Sequence, residues 1–289
     1  MIHTLEHIVI HATEDNISII PLLFVTYCIM EYMEQLMAEK SEGVMRYSGK
    51  MGPLFGGVLG IIPQCGFSAA AASFYSGGVI TLGTLLAIFL STSDEMLPVL
   101  ISATVPLAMI VKILAVKALI GVLGGFIVDF GIRKIGKAHV VQKHIHDLCE
   151  QDHCHCEEGS IWKSALIHTV KVFGFVFMVS VLLNLVLECG AESALERFAD
   201  HNSILAAILT GMVGLVPNCA ASVIITQMYL KGLISAGAMM AGLLVGAGVG
   251  VLVLFRTNSP VKQNVKIVGL LYAIGVAAGL LIDLLRITF

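Results

Sequence analysis

The chain has 289 residues, of which 57% are hydrophobic and 13% are charged, and its mean hydropathy is +0.92. Soluble domains carry about one quarter charged residues, so the composition excludes an ordinary soluble protein. Several apolar runs reach the roughly 20 residues that cross a bilayer. The sequence therefore predicts an all-α polytopic membrane protein, preceded by a polar segment at residues 1–16 that does not resemble a signal peptide.

Two of the apolar segments are predicted to be broken helices, because Pro63 and Pro217 lie in their middles and proline lacks the N–H that a continuous helix needs. The pieces on either side are too short to cross a bilayer. The other segments are predicted to be full spans, and residues 39–50 are predicted to form a loop. The predicted segments are, in chain order, 17–38, 52–75 (broken), 79–97, 106–130, 164–187, 203–229 (broken), 233–255 and 265–285.

The broken segments belong to an internal repeat. GVLGIIPQCGFSAAAASFYSGGVITLG at residues 57–83 returns as GMVGLVPNCAASVIITQMYLKGLISAG at residues 211–237, at a constant offset of 154 (217 − 63) and without a gap. The same offset pairs Lys112 with Lys266 and Asp129 with Asp283, for which we expect structural roles. We therefore predict two membrane repeats, a first half at 17–135 and a second half at 164–289, joined by a linker at 136–163.

The loop charges predict that the repeats are inverted. The loop after the first segment is basic in the first half and acidic in the second, and the charges after the third segment are reversed. Since basic loops stay in the cytoplasm, equivalent loops lie on opposite faces. Each repeat then has three spanning helices plus a broken re-entrant helical hairpin, with a cytoplasmic linker and external termini. If each broken segment were instead one kinked span, the repeats would be parallel.

Candidate site residues lie at the tips of the broken segments. Non-helical backbone at membrane depth must line a cavity or be buried in protein, and secondary transporters bind substrate where half-helix ends meet. We expect substrate contacts from the amides, thiols and hydroxyls there, although free cysteines are more often small buried apolar residues. These residues are Gln64, Cys65, Ser68, Asn218, Cys219 and Ser222.

Four acidic residues complete the predicted substrate site, because acids within apolar segments are costly and usually face a pathway. Asp94 and Glu95 align with Gly248 and Val249, so the repeat fails there. The alternative for this pair is a helix end in the headgroup layer. The other two acids are Glu31 and Glu34.

The linker carries a separate metal-binding signal. Histidines and cysteines are dense there, and imidazole and thiolate are ligands for zinc and similar metals. Their spacing is not that of a zinc finger, so we expect a flexible chelating loop; the alternative is a solvated loop with chance histidines. The predicted ligands are His144, His146, Cys149, His153, Cys154, His155 and Cys156.

The stretches IPQCGFSAAAASFYSGGVITLGTLLAIFLSTSDEMLP and LVPNCAASVIITQMYLKGLISAGAMMAGLLVGAGVGVLVLF resemble the ten-transmembrane-segment heavy-metal exporter family. That family is similar to arsenic permeases, and its members are also labelled manganese transporters. The resemblance implies metal or metalloid efflux and covers nearly the whole chain.

We therefore predict a secondary transporter that exports a divalent heavy-metal cation, coupled to protons, with the metal ion and the lipid bilayer as partners. The alternatives are an arsenite or organoarsenical efflux permease and a metal-regulated channel. The spans contain no HExxH motif or Ser/His constellation, so we do not expect an enzyme, a resident cofactor or a nucleic-acid partner.

Overall fold

The computed structural model describes residues 43–61, 65–93, 96–134, 203–217, 219–259 and 261–289, and the positions 20, 21, 24, 25, 28, 162, 165–167, 169, 170, 173, 174, 177, 178 and 181. Every regular element in this part of the chain is an α-helix, as the composition predicts. The predicted spans 17–38 and 164–187 fall largely outside the described residues. Glu31, Glu34 and all the predicted metal ligands of the linker also lie outside them.

The helix boundaries follow the sequence repeat. Helices α7 and α8 begin 154 residues after α2 and α3 respectively (219 − 65 and 236 − 82). The described helices of the first half are α1 Gly43–Leu59, α2 Cys65–Ser76, α3 Leu82–Ser91, α4 Met96–Ser102 and α5 Leu107–Lys134. Those of the second half are α6 Ser203–Gly214, α7 Cys219–Leu230, α8 Ala236–Val245, α9 Val249–Thr257 and α10 Val261–Leu284.

The predicted interruption of the proline-containing segments is confirmed, because α1 and α2 are separate helices and so are α6 and α7. At the end of α6 the amide of Val216 donates to the carbonyl of Val213 at 3.0 Å. This tight turn closes the helix just before Pro217, which cannot donate an amide hydrogen to continue it.

Two of the predicted spans are interrupted in the structure. Segment 79–97 contains α3 and the first two residues of α4, and segment 233–255 contains α8 and most of α9. After α3 the amide of Thr92 makes the last helical bond, to the carbonyl of Ile88 at 3.0 Å. Between α8 and α9, Gly248 has φ 53° and ψ −137°, a conformation that essentially only glycine adopts. Mean hydropathy does not distinguish two short apolar helices from one long one, so the sequence profile missed both breaks.

The predicted loop 39–50 is wrong over its second part, because residues 43–50 form the first two turns of α1. Arginine and lysine are good helix formers, so the presence of Arg46 and Lys50 did not mark a loop.

Helices α3 and α8 form the centre of the molecule. Every residue of α8 is buried, and eight of the ten residues of α3 are buried. Helices α5 and α10 and the combined stretch Ala236–Thr257 are long and apolar enough to cross a membrane. The outer helices α5 and α10 expose large apolar side chains, which suits contact with lipid: Leu107, Val111, Leu119, Leu123, Ile127, Val261, Val265, Leu281 and Leu284.

A carboxylate fastens each central helix to its outer neighbour. Asp129 on α5 accepts hydrogen bonds from the Thr81 hydroxyl at 2.7 Å and from the Gly83 amide at 2.8 Å, at the start of α3. In the second half Asp283 on α10 accepts from the Ser235 hydroxyl and from the amide two residues later at the same distances. Both hydroxyls also cap their helices by accepting an amide hydrogen at 3.1 Å. Both aspartates therefore have structural contacts, as expected.

The two halves exchange contacts through their short helices. Helix α2 of the first half packs against α9 of the second, and α7 of the second half packs against α4 of the first. The hydroxyls of Ser76 on α2 and Thr257 on α9 are hydrogen-bonded at 2.7 Å. Each half also has a second break, between α3 and α4 in the first half and between α8 and α9 in the second. Each helix that follows a proline break thus lies against the helix that follows the other half's second break.

Candidate functional site

A buried lysine contacts the backbone next to the second break of each half. Lys117 on α5 is 1% exposed. Its Nζ donates to the carbonyl of Thr92, the first residue after α3, and to the carbonyl of Leu243 in the last turn of α8, the latter at 2.8 Å. The last carbonyls of a helix have no partner within the helix and carry partial negative charge. The ammonium group therefore lies between two helix C-terminal ends, one from each half.

The two predicted serines lie against the break in the second half. Ser68 on α2 is fully buried and packs so closely on Gly250 that a Cβ there would come within 2.7 Å of the serine Cβ. Ser222 on α7 is half-buried, and its Oγ would lie 3.7 Å from a Cβ at Gly246. Because Gly246 and Gly250 flank the gap between α8 and α9, helices α2 and α7 both approach this break.

The two predicted cysteines begin the helices that carry these serines. Cys65 is the first residue of α2 and Cys219 is the first residue of α7. Each lies three residues before its serine, which is about one helical turn, on the side of the proline break. The cysteine side chains are not among those described. Gln64 and Asn218, which precede them, lie outside the described residues.

A polar run crosses the interior at the first half's second break. Ser91, Thr92 and Ser93 are at most 2% exposed. The hydroxyls of Ser91 and Thr92 donate to carbonyls one turn earlier, at 2.7 and 2.8 Å. Their donor hydrogens are therefore bonded within the same segment of chain. Asp94 and Glu95 come next in the chain and lie outside the described residues.

The ammonium of Lys117 contacts carbonyls at the ends of two interrupted helices. The buried hydroxyls of Ser91, Thr92 and Ser93 lie at the end of the first of these helices. Among the described residues, no three His, Cys, Asp or Glu side chains form a group that could hold a metal ion.

Sequence reasoning missed the contacts of Lys117 and both second breaks. Two signals could have indicated them. The first is a second lysine, besides Lys112, within an apolar helix, at a position that is Leu271 in the second half. The second is the alignment of the polar residues 92–94 with the glycine-rich residues 246–248, which are both weak helix formers.

The lysine pair that the sequence did single out lies elsewhere. Lys112 donates to the carbonyl of Thr288 at 2.6 Å, and its Nζ lies 5.4 Å from the ring centroid of Phe289. Its counterpart Lys266 is exposed on α10. The contacts of Lys112 are structural, as expected.

The comparison with known families agrees with this architecture. A family model described as a 10TM heavy-metal exporter matches residues 4–192, about two thirds of the chain, including α1 to α5. No curated protein and no solved structure gave a match. Together with the membrane-length apolar helices, the match confirms the resemblance found in the sequence. The chain therefore belongs to the family of 10TM heavy-metal exporters, which are membrane transporters and not enzymes.

Proposed function

We propose that the protein is a secondary transporter that exports a divalent heavy-metal cation in exchange for protons. The observation that carries this proposal is the meeting of the interrupted helices around Lys117, where carbonyls of both halves face one point inside the protein. Helix C-terminal ends and unwound carbonyls are the groups that secondary transporters offer to cations. The exposed apolar faces of α5 and α10 support a position for this point inside a membrane-embedded protein.

We further propose that the two halves are inverted repeats, each with three spanning helices and a re-entrant hairpin of two half-helices. The common offset of the helix boundaries and the reciprocal packing of α2 on α9 and α7 on α4 support this arrangement. Reciprocal contacts of this kind arise when two copies are related by a twofold axis. The loop charges then place the linker in the cytoplasm and both termini outside.

The proposed cargo site lies between the two proline breaks and the two second breaks. Helices α2 and α7 approach the gap between α8 and α9 through Ser68 and Ser222, and both helices begin one turn earlier, next to the proline breaks. Hard and borderline cations prefer oxygen ligands, and the acids supply the negative charge that a dehydrated cation needs. Ser93 and Met96, which flank the acid pair, are each 1% exposed, and this favours acids at depth. The proposed site residues are Gln64, Cys65, Ser68, Asn218, Cys219, Ser222, Asp94, Glu95, Glu31 and Glu34.

The linker is proposed to be a separate site that binds zinc or a similar metal through His144, His146, Cys149, His153, Cys154, His155 and Cys156. It falls between the repeats and has no counterpart within either. Removing residues 144–156 should lower metal binding by the purified protein and leave transport detectable. Loss of transport in a folded deletion variant would instead place the linker in the pathway.

Transport into proteoliposomes tests the proposed function. Manganese, zinc, cobalt and arsenite are offered in parallel, with and without a pH gradient. We expect uptake of at least one divalent cation, accelerated by the gradient and accompanied by proton movement. Uptake of arsenite alone would favour the arsenical permease, and divalent flux that never saturates and ignores the pH gradient would favour a channel.

A further inference from the structure

The ammonium of Lys117 occupies a position that the fold offers to a cation. Among its partners are the carbonyls of Thr92 and Leu243, which come from the C-terminal ends of interrupted helices in different halves. Such carbonyls bind transported cations in secondary transporters. In this protein a positive charge of the chain itself is bound to them.

The second half shows that packing alone does not require a lysine here. The equivalent position on α10 is Leu271, which is 0% exposed, and α10 packs against α8 as extensively as α5 packs against α3. Burying an ammonium is far more costly than burying a leucine. The charge of Lys117 therefore has a role that the leucine does not fulfil.

We propose that Lys117 is an internal competitor for the cargo cation, an inference that rests on the proposed cation transport. Without cargo, the ammonium holds the carbonyls of Thr92 and Leu243 together and joins the two halves at their second breaks. A cargo cation that uses these oxygens displaces the ammonium, because two positive charges repel strongly at such short distance in a low-dielectric interior. The two breaks are therefore connected when the ammonium of Lys117 binds these carbonyls, and disconnected when the cargo cation binds them.

The test compares transport kinetics of Lys117→Gln with those of the wild-type chain in proteoliposomes, using manganese, zinc and cobalt as cargo. Glutamine removes the charge and keeps a hydrogen-bond donor. We expect the KM for the transported cation to fall by at least about tenfold, since charge-assisted bonds that cargo must replace are absent. The maximal rate should also fall, because cargo leaves the site more slowly. Lys112→Gln, on the same helix, is the matched control and should keep the wild-type KM.

A lysine that only braces the helices gives a different result, because its loss would leave the KM unchanged or raise it. Either outcome in a folded Lys117→Gln protein overturns the inference. Lys117→Arg covers the case in which the glutamine variant does not fold. The arginine variant retains the positive charge, so its KM should equal or exceed that of the wild type, and its maximal rate should fall. A lower KM in this variant overturns the inference. If wild-type vesicles transport none of the three cations, the proposed function itself has failed, and this inference fails with it.

Discussion

The two halves of the molecule share a framework but differ in sequence at their second breaks. Both halves have a proline break, a capped central helix, an aspartate that fastens this helix to its outer neighbour, and a second break at the same offset. At the second break, however, the first half has Thr92, Ser93, Asp94 and Glu95, and the second half has Gly246, Ala247, Gly248 and Val249. Likewise, the position equivalent to the charged Lys117 is Leu271 in the second half.

This difference contrasts a shared framework with a charge that is not shared. Contacts that recur in both halves are those that any copy of the unit needs in order to pack. Burying a charge is costly, and Lys117 carries one where its counterpart Leu271 does not. Each half supplies one carbonyl to the ammonium of Lys117.

The largest expected effect is on transport, at the acids that have no counterpart. The double variant Asp94→Asn/Glu95→Gln should abolish divalent-cation uptake into proteoliposomes, because it removes the negative charge that a dehydrated cation needs. Cys65→Ser/Cys219→Ser should retain uptake of a hard cation such as manganese, since serine still offers an oxygen. The reverse order would indicate trivalent arsenic as cargo, and full activity in both variants would show that the site lies elsewhere.

The aspartate contacts test whether the framework is shared. Asp129→Ala and Asp283→Ala should each destabilise the protein by about 2 to 3 kcal/mol, because each leaves an amide and a hydroxyl without their charged acceptor. The effect at Asp283 should be the smaller one, since this side chain is half-buried. Thermal unfolding in detergent measures both. A large loss at only one position would contradict the equivalence of the halves.

Two glycines test the same equivalence through close backbone approach. A Cβ at Gly83 would overlap the carbonyl oxygen of Gly125, and a Cβ at Gly237 would overlap that of Gly279. Gly83→Ala and Gly237→Ala should therefore each cost about 1 to 3 kcal/mol of stability, measured by the same unfolding assay.

Gly269→Ala is the matched control for the glycine variants. Nothing lies within 4 Å of a Cβ at this position, and the equivalent residue in the first half is Ala115. Alanine should stabilise α10 slightly, by about 0.5 to 1 kcal/mol. A loss of stability comparable to that of Gly83→Ala would show that the close-approach argument is wrong.

The smallest effect is expected where the halves contact each other through hydroxyls. Ser76→Ala and Thr257→Val each remove the 2.7 Å bond between α2 and α9, at a cost of about 1 kcal/mol. The equivalent pair in the other interface is Leu230 and Ala103, which cannot form such a bond. In a double-mutant cycle the two losses should not be additive; full additivity would mean that the hydroxyls do not interact.

The sequence by itself determined the helical membrane class, the repeat and the proline breaks. Each can be recognised in the sequence without knowing how the helices pack. The three signals are apolar runs of bilayer length, a constant offset of 154 between matching residues, and a proline that cannot donate an amide hydrogen. The structural roles of Asp129 and Asp283 also followed, because both recur at that offset at the ends of apolar segments.

Only the tertiary structure decided where the second breaks lie and what Lys117 contacts. Serine, threonine and glycine are tolerated within membrane helices when neighbouring groups satisfy the backbone, so residues 92–94 and 246–248 do not by themselves end a helix. An ammonium binds the carbonyls that packing leaves without amide partners, and Thr92 and Leu243 are separated by 151 residues (243 − 92). Such a contact depends on how the two halves fit together, which no local pattern in either half specifies.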